Sequence, residues 1–117
     1  MRLTSISIVQ TPILIDTDWQ SSPIWVGHTE HFSISLEFSG VPEGSFSIQY
    51  SNDGAEPTSS KIPTGFATVE GSTQTVDEAG THGWNVQNAG YRWVRIMWTH
   101  SMGTGYLDKA LFHGKGV

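Results

Sequence analysis

From His31 to Ser39 the chain alternates without a fault. Phe32, Ile34, Leu36 and Phe38 fall on one side, and Ser33, Ser35, Glu37 and Ser39 on the other. Successive side chains of a strand point to opposite faces, so this spacing predicts a strand with one buried and one solvated face. The code returns after Gly40-Val41-Pro42-Glu43-Gly44, with Phe46, Ile48 and Tyr50 opposed to Ser45, Ser47, Gln49 and Ser51. A short Gly- and Pro-bearing connection between two such runs predicts that they pair as a hairpin.

The stretch from Gly90 to His100 departs from that code. Val94, Ile96 and Trp98 share one face, while Tyr91, Trp93 and Met97 share the other with Arg95. Apolar bulk on both faces predicts a central strand covered above and below. Val94, Ile96 and Trp98 are expected in the main core. Tyr91, Trp93, Arg95 and Met97 form the candidate interface, meeting either a loop or a neighbouring subunit. A mid-strand guanidinium needs a partner. An aromatic ring, a carboxylate such as Glu37 on an adjacent strand, or a subunit contact would each serve.

The remaining pattern fills in around these runs. Ser5 to Gln10 predicts a first strand, with Ile6 and Ile8 opposed to Ser5 and Ser7, and Pro12 interrupts it. Residues 16–23 read as a loop and Ile24-Trp25-Val26 as a brief strand. Residues 55–65, rich in Pro, Ser and Thr, read as a long surface loop. Phe66–Glu70 and Ser72–Val76 are candidate strands around Gly71. Trp84 and Val86 mark a strand ending at Asn88-Ala89-Gly90, expected to form a second hairpin with the central strand. Tyr106 to His113 makes the last strand, and residues 114–117 a frayed tail. No segment carries helical periodicity with caps. Short strands separated by turn signals predict an all-β fold, an antiparallel β-sandwich of jelly-roll-like type, as a single domain over residues 1–117.

Composition narrows the function. Charged residues make up 15% of the 117, against the roughly 25% usual for globular domains, and Ser, Thr and Gly take their place. The net charge is −5, and the only close basic pair, Arg92 and Arg95, points to opposite faces of one strand. That argues against gripping nucleic acid by its phosphates. Cysteine is absent, so disulfides and thiolate metal sites play no part. The start, Met1-Arg2-Leu3-Thr4-Ser5, lacks the apolar core of a secretory leader, and no apolar run is long enough for a membrane helix.

The search for chemistry returns little. His28, Glu30 and His31 offer zinc-type ligands, but His28 and His31 fall on opposite faces of a regular strand. Asp16 and Asp18, and Asp53 and Glu56, put oxygens in loops without the spacing of a calcium loop. No serine sits in a Gly-x-Ser-x-Gly elbow, and no acid–base pair stands out. The expectation is a protein with no catalytic residues, cofactor or metal. Five tryptophans are available, and Trp19 and Trp25 are the least constrained. Exposed, they could stack on sugar rings, which makes a glycan-binding module for host attachment the alternative reading.

One further pattern points to a family. Ser47-Ile48-Gln49-Tyr50-Ser51-Asn52-Asp53-Gly54, Asn88-Ala89-Gly90-Tyr91-Arg92-Trp93-Val94-Arg95-Ile96, Ser101-Met102-Gly103-Thr104-Gly105-Tyr106-Leu107 and Gly114-Lys115-Gly116 follow one another in that order. The series resembles small virion proteins of tailed bacteriophages, with Met102 as a departure inside the Ser-Gly-Thr-Gly hairpin. It covers the C-terminal two-thirds of the chain. The resemblance implies a non-enzymatic β-sandwich component of heads, necks, fibres or tails. Its partners would be other virion proteins such as the major capsid protein, with no nucleic acid or membrane partner. It would form a homo-oligomer and reside in the virion, assembled in the host cytoplasm.

Overall fold

The computed structural model describes residues 2–58, 60–87 and 90–116. The expected turn at Asn88-Ala89 lies outside the described residues, as do Met1, Ser59 and Val117. Eleven strands follow one another: β1 (Arg2–Val9), β2 (Ile13–Leu14), β3 (Trp19–Gln20), β4 (Ile24–Trp25), β5 (Thr29–Gly40), β6 (Glu43–Ser51), β7 (Ala67–Thr68), β8 (Gln74–Val76), β9 (Gly80–Val86), β10 (Trp93–Met102) and β11 (Gly105–Gly116). There is no helix among the described residues.

The strands form two antiparallel sheets. The first runs β1-β11-β5-β9, with β2 beside β11. The second runs β3-β10-β6-β7, with β4 also on β10 and β8 also on β6. From β5 onward the long strands change sheet at every step: β5 lies in the first, β6 in the second, β9 in the first, β10 in the second and β11 in the first. This alternation is the jelly-roll form of the sandwich.

It also corrects both predicted hairpins. β5 pairs with β11 and β9, and β6 pairs with β10. A flat hairpin would put the Phe32–Phe38 and Phe46–Tyr50 faces side by side with nothing above them. Crossing to the opposite sheet sets them face to face, and the Phe38 and Phe46 rings stand 5.7 Å apart. Gly40, at a φ of 85°, starts the crossing in a backbone shape that glycine adopts at little cost. The Val41 amide then donates to Thr104 O at 2.9 Å, tying this crossing to the one between β10 and β11.

The core lies between the sheets. Val94, Ile96 and Trp98 are fully buried there, as expected, beside Phe46 and Ile48 and opposite Ile34, Leu36, Leu107 and Phe112. Each such side chain contributes about 1.5–3 kcal/mol of transfer free energy. Trp98 packs on Phe46 at 4.5 Å between ring centres, and its indole N–H donates to Ile15 O at 3.0 Å.

Element limits differ from the expectation in several places, for β3 lies inside the predicted loop 16–23 and β10 starts only at Trp93. β1 begins at Arg2, ahead of the predicted Ser5, and an irregularity between Ser7 and Val9 turns Val9 into the core. β11 continues through Gly116, so the expected tail is strand, held between β1 and β5.

The margins of the second sheet are each built from two short strands and a serine. Between β3 and β4, the Ile96 amide donates to Ser21 Oγ at 2.9 Å and the Ser21 amide donates to Ile96 O at 3.0 Å. Between β7 and β8, the Ile48 amide donates to Ser72 Oγ at 3.1 Å. Both serines are buried. Each satisfies an amide that the break in the neighbouring strand would otherwise leave without a partner.

Candidate functional site

β10 carries the residues singled out as an interface. It is central, with β3 and β4 on one side and β6 on the other. Its outward face is covered at Trp93 and Arg95 by the chain's own segment between β6 and β7. Trp93 is only 7% exposed, and its indole N–H donates to Ala55 O at 3.2 Å. The Arg95 guanidinium lies 4.0 Å from the centre of the Phe66 ring, and its Nε donates to Gln49 Oε1 at 2.8 Å. Gln49 is directly opposite Arg95 in register. The partner of Arg95 is thus a ring and a neutral amide, and not Glu37. Glu37 lies in the first sheet, 3.8 Å from Lys109. Burial lowers the Arg95 pKa from its ordinary value. Met97 is half-buried between Ser47 and Gln20.

Tyr91 does not share this face. β10 starts two residues later, at Trp93, and the Tyr91 ring stacks on Tyr50 at 4.6 Å. Tyr50 continues the inward series of Phe46 and Ile48, so Tyr91 closes the end of the core. Strand periodicity does not apply to a residue that precedes the strand.

The covering segment is fastened by Asp53. Oδ1 accepts from the Ala55 amide at 2.8 Å, and Oδ2 accepts from the Thr64 amide at 2.9 Å and the Thr64 hydroxyl at 3.0 Å. The Thr64 and Ala55 amides hold this carboxyl below its ordinary value of 3.8. Ser51 Oγ donates to Thr64 O and accepts from the Asp53 amide at 3.1 Å. Ala55 and Pro63 are buried, so the segment is a lid with its own packing and not the loose surface loop that its composition suggests. Asp53 works as a turn residue, joining two ends of the lid.

Other chemistry-bearing residues are spread out. Asp18 Oδ1 accepts from the His100 amide at 2.7 Å. His28 meets the Trp25 ring edge-on at 6.2 Å. His82 stacks on Phe38 and bonds Gln74. Among the described residues, no group of three or more His, Asp or Glu side chains could hold a metal ion. Trp19 is half-buried against the core, and Trp25 is half-buried and edge-on to Trp93 at 5.1 Å.

Apolar side chains stand open on the lid itself, where Ile62 is 75% exposed, and at a second place. At the end of the sandwich where the two crossings lock together, Val41 is 63% exposed, Met102 60%, Tyr106 47% and Leu14 43%. Leu14 and Tyr106 are paired across β2 and β11, and Met102 faces Glu43. Gly103, at a φ of 80°, lets the second crossing lie directly on Val41; a Cβ there would strike the Val41 carbonyl. No periodicity marks these four residues, because two of them sit in or beside turns. Their exposure was the missing signal.

No protein-family model and no curated protein matches the chain. Solved structures that share its fold include two of viral or prophage origin. The SPBc2 prophage-derived protein YomS superposes with a TM-score of 0.56 at 13% identity, covering 97% of this chain and 92% of that one. A chain of infectious bursal disease virus, Gx strain, superposes with a TM-score of 0.53 at 9% identity, covering 98% of this chain and 33% of that longer one. At these identities the likeness is one of architecture: two antiparallel sheets packed as a sandwich.

Proposed function

We propose that this protein is a non-enzymatic structural component of a phage particle, acting as a single domain through protein–protein contacts. Capsid decoration is the foremost role, with a small head-fibre or neck component next. Its partners are the major capsid protein and further copies of itself, assembled in the host cytoplasm. One observation carries the reading: a prophage-derived protein has the same fold over nearly the full length of both chains. The ordered phage-virion pattern in the C-terminal two-thirds supports it independently. So does the surface. The outward faces of β5 and β6 are mostly hydroxyls and amides, and the exposed Leu14, Val41, Met102 and Tyr106 suit a docking end.

Mass spectrometry of gradient-purified particles tests this. Peptides of the chain at a fixed copy number per major capsid protein are expected. Intact particles without the chain, from cells that express it, would overturn the proposal.

A further inference from the structure

The two sheets have four margins, and at three of them the edge strand is short or touched by another segment of the chain. The second sheet's margins are short broken strands whose gaps Ser21 and Ser72 fill on the inner side. The β9 margin of the first sheet is met by Gln74, whose side-chain amide donates to Gly83 O at 2.9 Å, while Trp84 Nε1 donates to Ser72 O at 2.6 Å. The fourth margin is β1. Among the described residues it pairs with β11 on one side and with no strand on the other. It is eight residues long, and Leu3 to Val9 contains no charge and no proline. Charge and proline are two of the devices that normally keep an exposed edge from pairing; a third, an irregularity in the strand, is present at its end, between Ser7 and Val9. Leu3 is 70% exposed and Ile6 37%.

We infer that β1 is the seat of a second copy of this chain, joined antiparallel about a two-fold axis through Ile6. A two-fold sets a strand against itself, so every charge near the axis would face its own copy. An uncharged strand suits a like partner and gives a charged one nothing to recognise. Ile6 is the midpoint of the Thr4–Ile8 run that precedes the turn of Val9 into the core, which makes the pairing Ile6 with Ile6, Ser5 with Ser7 and Thr4 with Ile8. Directly opposed residues share a face in an antiparallel pair, and this register respects that rule. Ile6 lies opposite the inward-facing Phe112, so the axis covers the part of Ile6 that the sandwich leaves bare. The first sheet would run continuously through both copies as β9-β5-β11-β1-β1-β11-β5-β9. The inference deepens the self-association proposed above, yet it can hold in a protein that never enters a virion.

The absence of cysteine allows a direct test. Ile6→Cys places each thiol beside its own copy, and mild oxidation should give a disulfide-linked dimer. Thr81→Cys, on β9, should not. In sedimentation the unmodified chain should be a dimer. Ile6→Lys should weaken the dimer by roughly a hundredfold, because it sets two ammonium groups on the axis, with circular dichroism unchanged. Thr81→Lys should leave the dimer intact. A monomer at all concentrations would overturn the inference. So would a dimer indifferent to Ile6→Lys, or cross-linking at Thr81→Cys and not at Ile6→Cys. If Ile6→Lys fails to fold, the cysteine pair decides. Failure here leaves the particle test untouched, and failure of the particle test leaves this one untouched.

Discussion

The two sheets share a core but end differently. The second sheet is sealed: its margins are short strands bridged by buried serines, and the lid from β6 to β7 lies over Trp93 and Arg95. The first sheet stays open, with β1 unpaired along its outer side and a solvated face bearing Ser33, Ser35, Glu37 and Ser39. Apolar residues on both sides of a strand mean that both sides are covered. They do not say by whom. Around Trp93 and Arg95 the answer is the same chain on both sides, so the contacts proposed above are assigned to the first sheet and to the apolar end.

Substitutions can break this contrast, beginning with the largest effect. Ile96→Asp puts an unpaired carboxylate into a site with no exposure, and the protein should not fold; loss of the strand signal in circular dichroism checks it. Trp93→Ala should cost about 3 kcal/mol in urea unfolding, because the space beneath the lid empties. Ser21→Ala should cost about 2 kcal/mol, the penalty of a buried Ile96 amide without an acceptor. Ser5→Ala, on the open sheet, should stay within about 0.5 kcal/mol. If Ser21→Ala proves as mild as Ser5→Ala, the sealed margin is not a sealed margin.

The smallest effect concerns pH. The Asp53 carboxyl is held below its ordinary value, so its contribution to the lid is complete above that value and disappears as pH falls through the lowered one. The Thr64 amide should therefore lose protection from exchange below about pH 3.8, before the amides of β10 do. Asp53→Asn should abolish that step and speed tryptic cleavage after Lys61 at neutral pH.

Much of the fold was legible in period-two alternation. It places Phe32, Ile34, Leu36, Phe38, Phe46, Ile48, Val94, Ile96 and Trp98 on inward faces, where they are found. It could not assign strands to sheets. Both sheets face one core, so an inward residue carries the same code in either, and a five-residue turn serves a hairpin or a crossing alike. The lid was hidden for a different reason. Ala55 and Pro63 are buried by Asp53-centred hydrogen bonds, and a Ser- and Thr-rich composition carries no trace of such burial. Of the candidate interface, the shared face of Trp93, Arg95 and Met97 was readable. Tyr91 was not, because its position depends on where the strand starts.

The central claim is that contacts fall on the first sheet and the apolar end, and not over Trp93. Hydrogen exchange on the assembled and the dispersed chain tests it directly. Assembly should newly protect amides in β1 or around Val41 and Met102, while residues 93–97 and the lid exchange alike in both states. New protection confined to Trp93–Met97 and the lid, with β1 and the apolar end unchanged, would contradict it.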